Sequence, residues 1–116
     1  MRLSIDLDGV LCEIDKSKGY GDLVPIVGAI SALKLLRSQG HYVIIHTARH
    51  MKTMESNVGK VVAAKGYITL DWLERNGIEY DEIYFGKPWA DVYIDDNAFR
   101  FTNWVDAIDY LKQVEN

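Results

Sequence analysis

A chain of 116 residues with 48% hydrophobic side chains can bury one core but is too short for two ordinary domains, so residues 1–116 are expected to form one unit. With 17 acidic against 13 basic residues the formal net charge is -4, which argues against a broad nucleic-acid footprint. The single cysteine, Cys12, rules out an intramolecular disulfide and a multi-cysteine metal site. There is no apolar run of the ~20 residues that a bilayer requires, and no basic, apolar leader or lipidation pattern, so a cytoplasmic protein without membrane contact is expected.

The stretch Arg2 to Asp6 is a short apolar-rich run stopped by acid and glycine at Asp8 and Gly9, as for a buried strand entering a loop. Leu11 to Val24 mixes charges with Gly19 and Gly21, has no steady period and reads as an excursion above the strand end. Pro25 suits a helix start, Ile30, Leu33 and Leu36 recur at helical spacing, and Gly40 supplies a stop. Tyr42 to Ile45 is a second strand, delivering His46, Thr47, Ala48 and Arg49 at its carboxyl end. From His50 to Gly66, Asn57 and Gly59 interrupt any clean helical pattern, and the segment carries no assignment. Ile68 to Arg75 reads as a helix, capped by Thr69 or Asp71 and ended by Asn76-Gly77. A third strand, Glu82 to Phe85, runs into Gly86, Lys87 and Pro88, and a fourth, Val92 to Ile94, into Asp95 and Asp96. Asn103 caps a closing helix whose apolar stripe is Trp104, Ala107, Ile108, Leu111 and Val114.

Strands alternating with helices predict an α/β architecture: a three-layer, open, mainly parallel sheet with no separate cap domain. Function in such sheets gathers at the carboxyl ends of the strands. Here each of those ends carries reactive polar groups: Asp6 and Asp8, then Thr47, then Lys87, then Asp95 and Asp96. Four carboxylates brought to one edge would repel one another unless a divalent cation sat among them. Their hard oxygens, without a histidine or cysteine cluster, favour magnesium over zinc.

The ordered set Ile5-Asp6-Leu7-Asp8-Gly9-Val10, Ile44-Ile45-His46-Thr47, Phe85-Gly86-Lys87-Pro88 and Tyr93-Ile94-Asp95-Asp96 resembles the four motifs of the haloacid dehalogenase-like hydrolase superfamily, in its phosphatase branch. The resemblance implies a magnesium-dependent phosphatase acting on a phosphate monoester. Asp6 would be the nucleophile that forms an aspartyl-phosphate, and Asp8 the acid and base that serves the leaving oxygen and then the attacking water. Magnesium would be held by Asp6, the backbone carbonyl of Asp8 and an acid of the last strand, Asp96 in preference to Asp95. Thr47 and Lys87 would bind and offset the phosphoryl charge, and Gly9, Val10, Ala48 and Arg49 would line the substrate.

The gaps between motifs leave no room for a full cap, which makes a capless member that either acts on a large substrate or borrows walls from another copy; a homo-oligomer is expected, with Met51 to Tyr67 as its contact. His-Thr-Ala-Arg after the second strand and Tyr-Phe-Gly-Lys-Pro-Trp before the last resemble small bacterial phosphatases of capsule or surface-polysaccharide biosynthesis, which implies a sugar phosphate or related metabolite. Trp89 offers a ring to stack on such a sugar or on a base, while Cys12 reads as a small buried filler. The rival reading is a receiver-type signalling module, which also combines a phosphorylated Asp, magnesium, a Thr and a Lys on an open parallel sheet. A phosphotransferase of the same superfamily is the third.

Overall fold

The computed structural model describes residues 1–115. β1 (Arg2–Asp6), β2 (Tyr42–Thr47) and β3 (Glu82–Phe85) lie side by side in the order β1-β2-β3, both pairs parallel. The register sets Ile5 beside Ile45 and Asp6 beside His46, then Thr47 beside Phe85. Because side chains alternate between faces, Ile5, Val43, Ile45 and Thr47 share a buried face. The opposite face carries Arg2, Ser4 and Tyr42 and is open. It is tied together by Arg2 over the Tyr42 ring, 4.6 Å from its centroid, and by the Tyr42 hydroxyl donating to Glu82 at 2.8 Å.

The crossovers are the helices α1 (Ala29–Ser38) and α2 (Val58–Arg75). α1 buries Ala29, Ala32, Leu33 and Leu36, a stripe at helical spacing. Gly40, at φ 89°, ends it: the Gly40 N–H donates to the Arg37 carbonyl and the His41 N–H to that of Leu36, the paired bonds of a Schellman stop. Gly77 does the same for α2, where Gly77 N–H and Ile78 N–H donate to the Glu74 and Leu73 carbonyls.

α2 begins ten residues before the predicted helix at Ile68, and absorbs much of the segment left unassigned. Asn57, read from sequence as an interruption, is its N-cap: the side-chain oxygen accepts from Lys60 N–H at 3.0 Å, so neither Thr69 nor Asp71 caps it. Gly66 is buried on the face that meets Phe85. α3 (Trp104–Val114) starts where expected, with Asn103 accepting from Asp106 N–H at 2.8 Å. It packs on α1 through Trp104, whose Cβ lies close to Gly28.

The predicted fourth strand, Val92 to Ile94, is not formed. Among the described residues nothing pairs with the outer edge of β1, and every residue from 88 to 100 is exposed, Ile94 at 97%. Three apolar residues offer few ladder bonds, and local ones compete: the Tyr93 hydroxyl turns back onto the Pro88 carbonyl, and Asp96 N–H donates to the side chain of Asp95. No helix among the described residues is long and apolar enough to cross a membrane.

Candidate active site

At the end of β1 the chain turns around one carbonyl. Leu7 is fully buried, and its oxygen accepts from the N–H groups of Val10, Leu11 and Cys12 at 3.3, 2.9 and 3.2 Å. Gly9 closes the turn at φ 87°, a conformation that side chains with a Cβ rarely adopt, and donates to the Cys12 carbonyl at 2.8 Å. The N–H groups of Gly9 and Val10, residues expected to line the substrate, bond within the turn itself. Two tryptophans pin the excursion that follows: Trp104 Nε1 donates to the Val10 carbonyl at 2.9 Å and Trp72 Nε1 to that of Leu23 at 2.7 Å.

Asp6 and Asp8 flank the buried Leu7 and acquire different partners. One oxygen of Asp6 accepts from Leu7 N–H at 2.9 Å, and the other lies 3.4 Å from Lys87 Nζ. Lys87 is delivered there by the chain leaving β3: Gly86, at φ 99°, and Lys87 both donate their N–H to the Thr47 carbonyl, at 3.2 and 3.1 Å. The Tyr93 ring covers the ammonium, 4.0 Å from its centroid. The ends of β1, β2 and β3 therefore meet around Asp6. Thr47 is 1% exposed; its hydroxyl accepts from Arg49 N–H at 3.1 Å, which leaves the hydroxyl proton free to donate. Ala48 is half-buried beside it. His46, next to Asp6 in the ladder, pairs with the Ser4 hydroxyl, and burial, then the charge of Lys87, holds its pKa below the usual range.

Asp8 faces Arg49. Arg49 Nε lies 3.1 and 2.9 Å from the two carboxylate oxygens and Nη2 is 2.8 Å from one of them. Arg49, expected to line the substrate, is 3% exposed, and its fork bonds inside the protein. Cys12 sits in the same cluster, 3.2 Å from Asp8, and burial, then the charge of Asp8, pushes its thiol up to about 12, which suits the filler role and not a nucleophile.

Asp95 and Asp96, expected at the same edge, are exposed on the segment that did not become a strand. Among the described residues no three of His, Cys, Asp and Glu are gathered to hold a metal ion. The oxygens of Asp6 and Asp8 suit magnesium in kind. In number the arrangement does not fit it, because Asp95 and Asp96 lie on an exposed segment and no third acid is gathered with Asp6 and Asp8 among the described residues.

The structure also brings in residues that no spacing announced. Thr69, in the middle of α2, accepts from Arg49 Nη1 at 3.1 Å, and the Tyr20 ring lies 4.4 Å from the Arg49 guanidinium carbon. A groove of about 640 Å³ is walled by Gly9, Val27, Phe101 and Trp104, while Asp6, Thr47 and Lys87 lie outside it. The Asp6 side chain keeps 35% of its surface exposed.

No family model matches the chain. No curated protein matches it either. Among solved structures, a target protein from Vibrio cholerae is 36% identical, with 99% of this chain and 98% of that one covered and a TM-score of 0.81. The D,D-heptose bisphosphate phosphatase of B. bronchiseptica, crystallised with magnesium and phosphate, is 17% identical, and the match covers 99% of this chain and 64% of that one at a TM-score of 0.53. A chain of the Pnkp1/Rnl/Hen1 complex is 20% identical, with 99% of this chain and 34% of that one covered at a TM-score of 0.55. This chain thus spans about a third to two thirds of the length of these two more distant neighbours. At its identity to the Vibrio cholerae protein over nearly the whole of both, the chain belongs to the same family as that protein, and its fold is the haloacid dehalogenase-like core.

Proposed function

We propose that this protein is a phosphatase that hydrolyses a phosphate monoester through a phosphoryl group carried on Asp6. The observation that carries the reading is the Asp6 carboxylate at the end of a parallel strand with Lys87 Nζ 3.4 Å from its outer oxygen. A carboxylate oxygen of Asp6 attacks phosphorus, the ester P–O bond breaks, and the leaving oxygen takes a proton from Asp8. Water then attacks the same phosphorus and gives a proton back to Asp8. The P–O bond to Asp6 breaks, releasing inorganic phosphate and restoring the carboxylate. Lys87 offsets the charge of nucleophile and phosphoryl group, and the Thr47 hydroxyl proton is available to a phosphoryl oxygen.

Magnesium is the ion such hard oxygens hold, and the heptose bisphosphate phosphatase with the same core was crystallised with it. The steps above run through Asp6, Asp8, Thr47 and Lys87 alone, because no third carboxylate is gathered with the two aspartates among the described residues. A small sugar phosphate is the substrate class we favour. The partly exposed Asp6 carboxylate, the exposed Trp89 ring two residues after Lys87 and the chemistry of that neighbour support this choice. The receiver reading is disfavoured by strand order: flavodoxin-like receivers place the first strand between the second and third, whereas here β2 is central.

The test is phosphate release from a panel of sugar phosphates, nucleotides and phosphoproteins, with magnesium and with a chelator. Repeated turnover of a sugar phosphate is expected. Phosphorylation that stops at one group per chain would support the receiver reading, and no release from any ester would contradict the proposal.

A further inference from the structure

A guanidinium taken out of water needs a partner that stays with it. The Arg49 side chain is 1% exposed, and its carboxylate partner is Asp8. Its other contacts come from distant parts of the chain. Nη1 donates to the Thr69 hydroxyl on α2 at 3.1 Å, Nη2 lies 3.3 Å from Cys12 Sγ, and the Tyr20 ring covers the plane. The backbone N–H of the same residue donates to Thr47. A fork held on so many sides has no donor pointed at solvent with which to grip a substrate; its geometry serves the carboxylate in front of it.

We propose that Arg49 is a positioning residue which, braced by Thr69 on α2, fixes the Asp8 side chain in the orientation from which it passes a proton to the leaving oxygen. The inference rests on the phosphatase reading above and adds to it a role for two buried side chains outside the phosphoryl contacts. Proton transfer needs the two heavy atoms within hydrogen-bond reach, and an unbraced aspartate spends less of its time there. The loss on removing the brace therefore scales with how much the leaving group needs a proton. The alkoxide of a sugar phosphate needs one; para-nitrophenolate departs without it.

The experiment compares kcat and KM for a sugar phosphate that the enzyme hydrolyses and for para-nitrophenyl phosphate, in wild type, Arg49→Lys and Thr69→Val. Arg49→Lys keeps the charge and loses the fork. It is expected to lower kcat for the sugar phosphate roughly tenfold or more beyond its effect on the aryl ester, with KM little changed. Thr69→Val keeps the shape and the ion pair, and is expected to shift the same ratio in the same direction by a few fold. In an Asp8→Asn background neither substitution should alter the ratio further. Equal losses on both esters would make Arg49 structural, and a raised KM at unchanged kcat would return it to substrate binding; either result overturns the proposal. Should Arg49→Lys fail to fold, Thr69→Val decides alone, and an unchanged ratio there counts against the brace. Wild type inactive on every ester would remove the phosphatase reading together with this one, whereas an active wild type with unshifted ratios would remove this one only.

Discussion

Two pairs of acids, Asp6 with Asp8 and Asp95 with Asp96, sit in segments that the structure holds in opposite ways. The first pair ends a strand, flanks a fully buried leucine, and is clasped by Lys87 and Arg49, residues far away in sequence. The second lies in a stretch exposed from 88 to 100, where the side chain of Asp95 accepts from the N–H of the next residue. Two acids at the end of an apolar run become a site when non-local bonds fix their direction. Without such bonds the same letters remain a solvated loop.

Substitutions to asparagine measure that difference, since they keep the shape and remove the charge. Asp6→Asn is expected to lower turnover by about a thousandfold or more while leaving the melting temperature close to wild type. Asp95→Asn and Asp96→Asn, in the exposed segment and outside any cluster of acids among the described residues, are expected to cost less than about tenfold each. A loss at either position that matched Asp6→Asn would show that the exposed segment docks on β1 in the working enzyme, and would erase the contrast.

A smaller effect is expected at the hinge between the two regions. Gly86 stands at φ 99° where the chain leaves β3, and a Cβ there would lie 2.7 Å from Val58 Cγ2. Gly86→Ala therefore has to strain the turn or displace the first turn of α2, a cost of about 1–3 kcal/mol that thermal melting would register. It should also disturb the two N–H bonds to the Thr47 carbonyl that carry Lys87 to Asp6. An unchanged melting temperature would mean that the turn has no need of glycine.

The parts of this fold that were legible in sequence are those set by local chemistry. Gly40 and Gly77 stop helices because a left-handed residue lets two N–H groups reach back to orphan carbonyls, and Asn103 starts one because its side chain satisfies an N–H three residues on. At Asn57 the same chemistry is masked: the residue caps α2, although it and Gly59 read as a break in the helical pattern. Val92 to Ile94 was overread, since three apolar residues look alike in a strand and in an exposed loop, and what distinguishes them is a neighbouring edge. At the candidate site the nearby letters picked out Asp6, Asp8, Thr47 and Lys87. The company of Arg49 was hidden, because Asp8 lies 41 positions before it and Thr69 lies 20 after it, and no helical or strand period spans such distances.

The claim that most needs testing is that Asp6 carries the phosphoryl group. Acid quenching of the enzyme during turnover of a hydrolysed ester, followed by mass spectrometry of its peptides, reads this directly. A single phosphoryl group on the peptide containing Asp6, released by hydroxylamine and absent from Asp6→Asn, is the predicted result. Sustained turnover with no phosphorylated peptide, or a label that persists in Asp6→Asn, would contradict it.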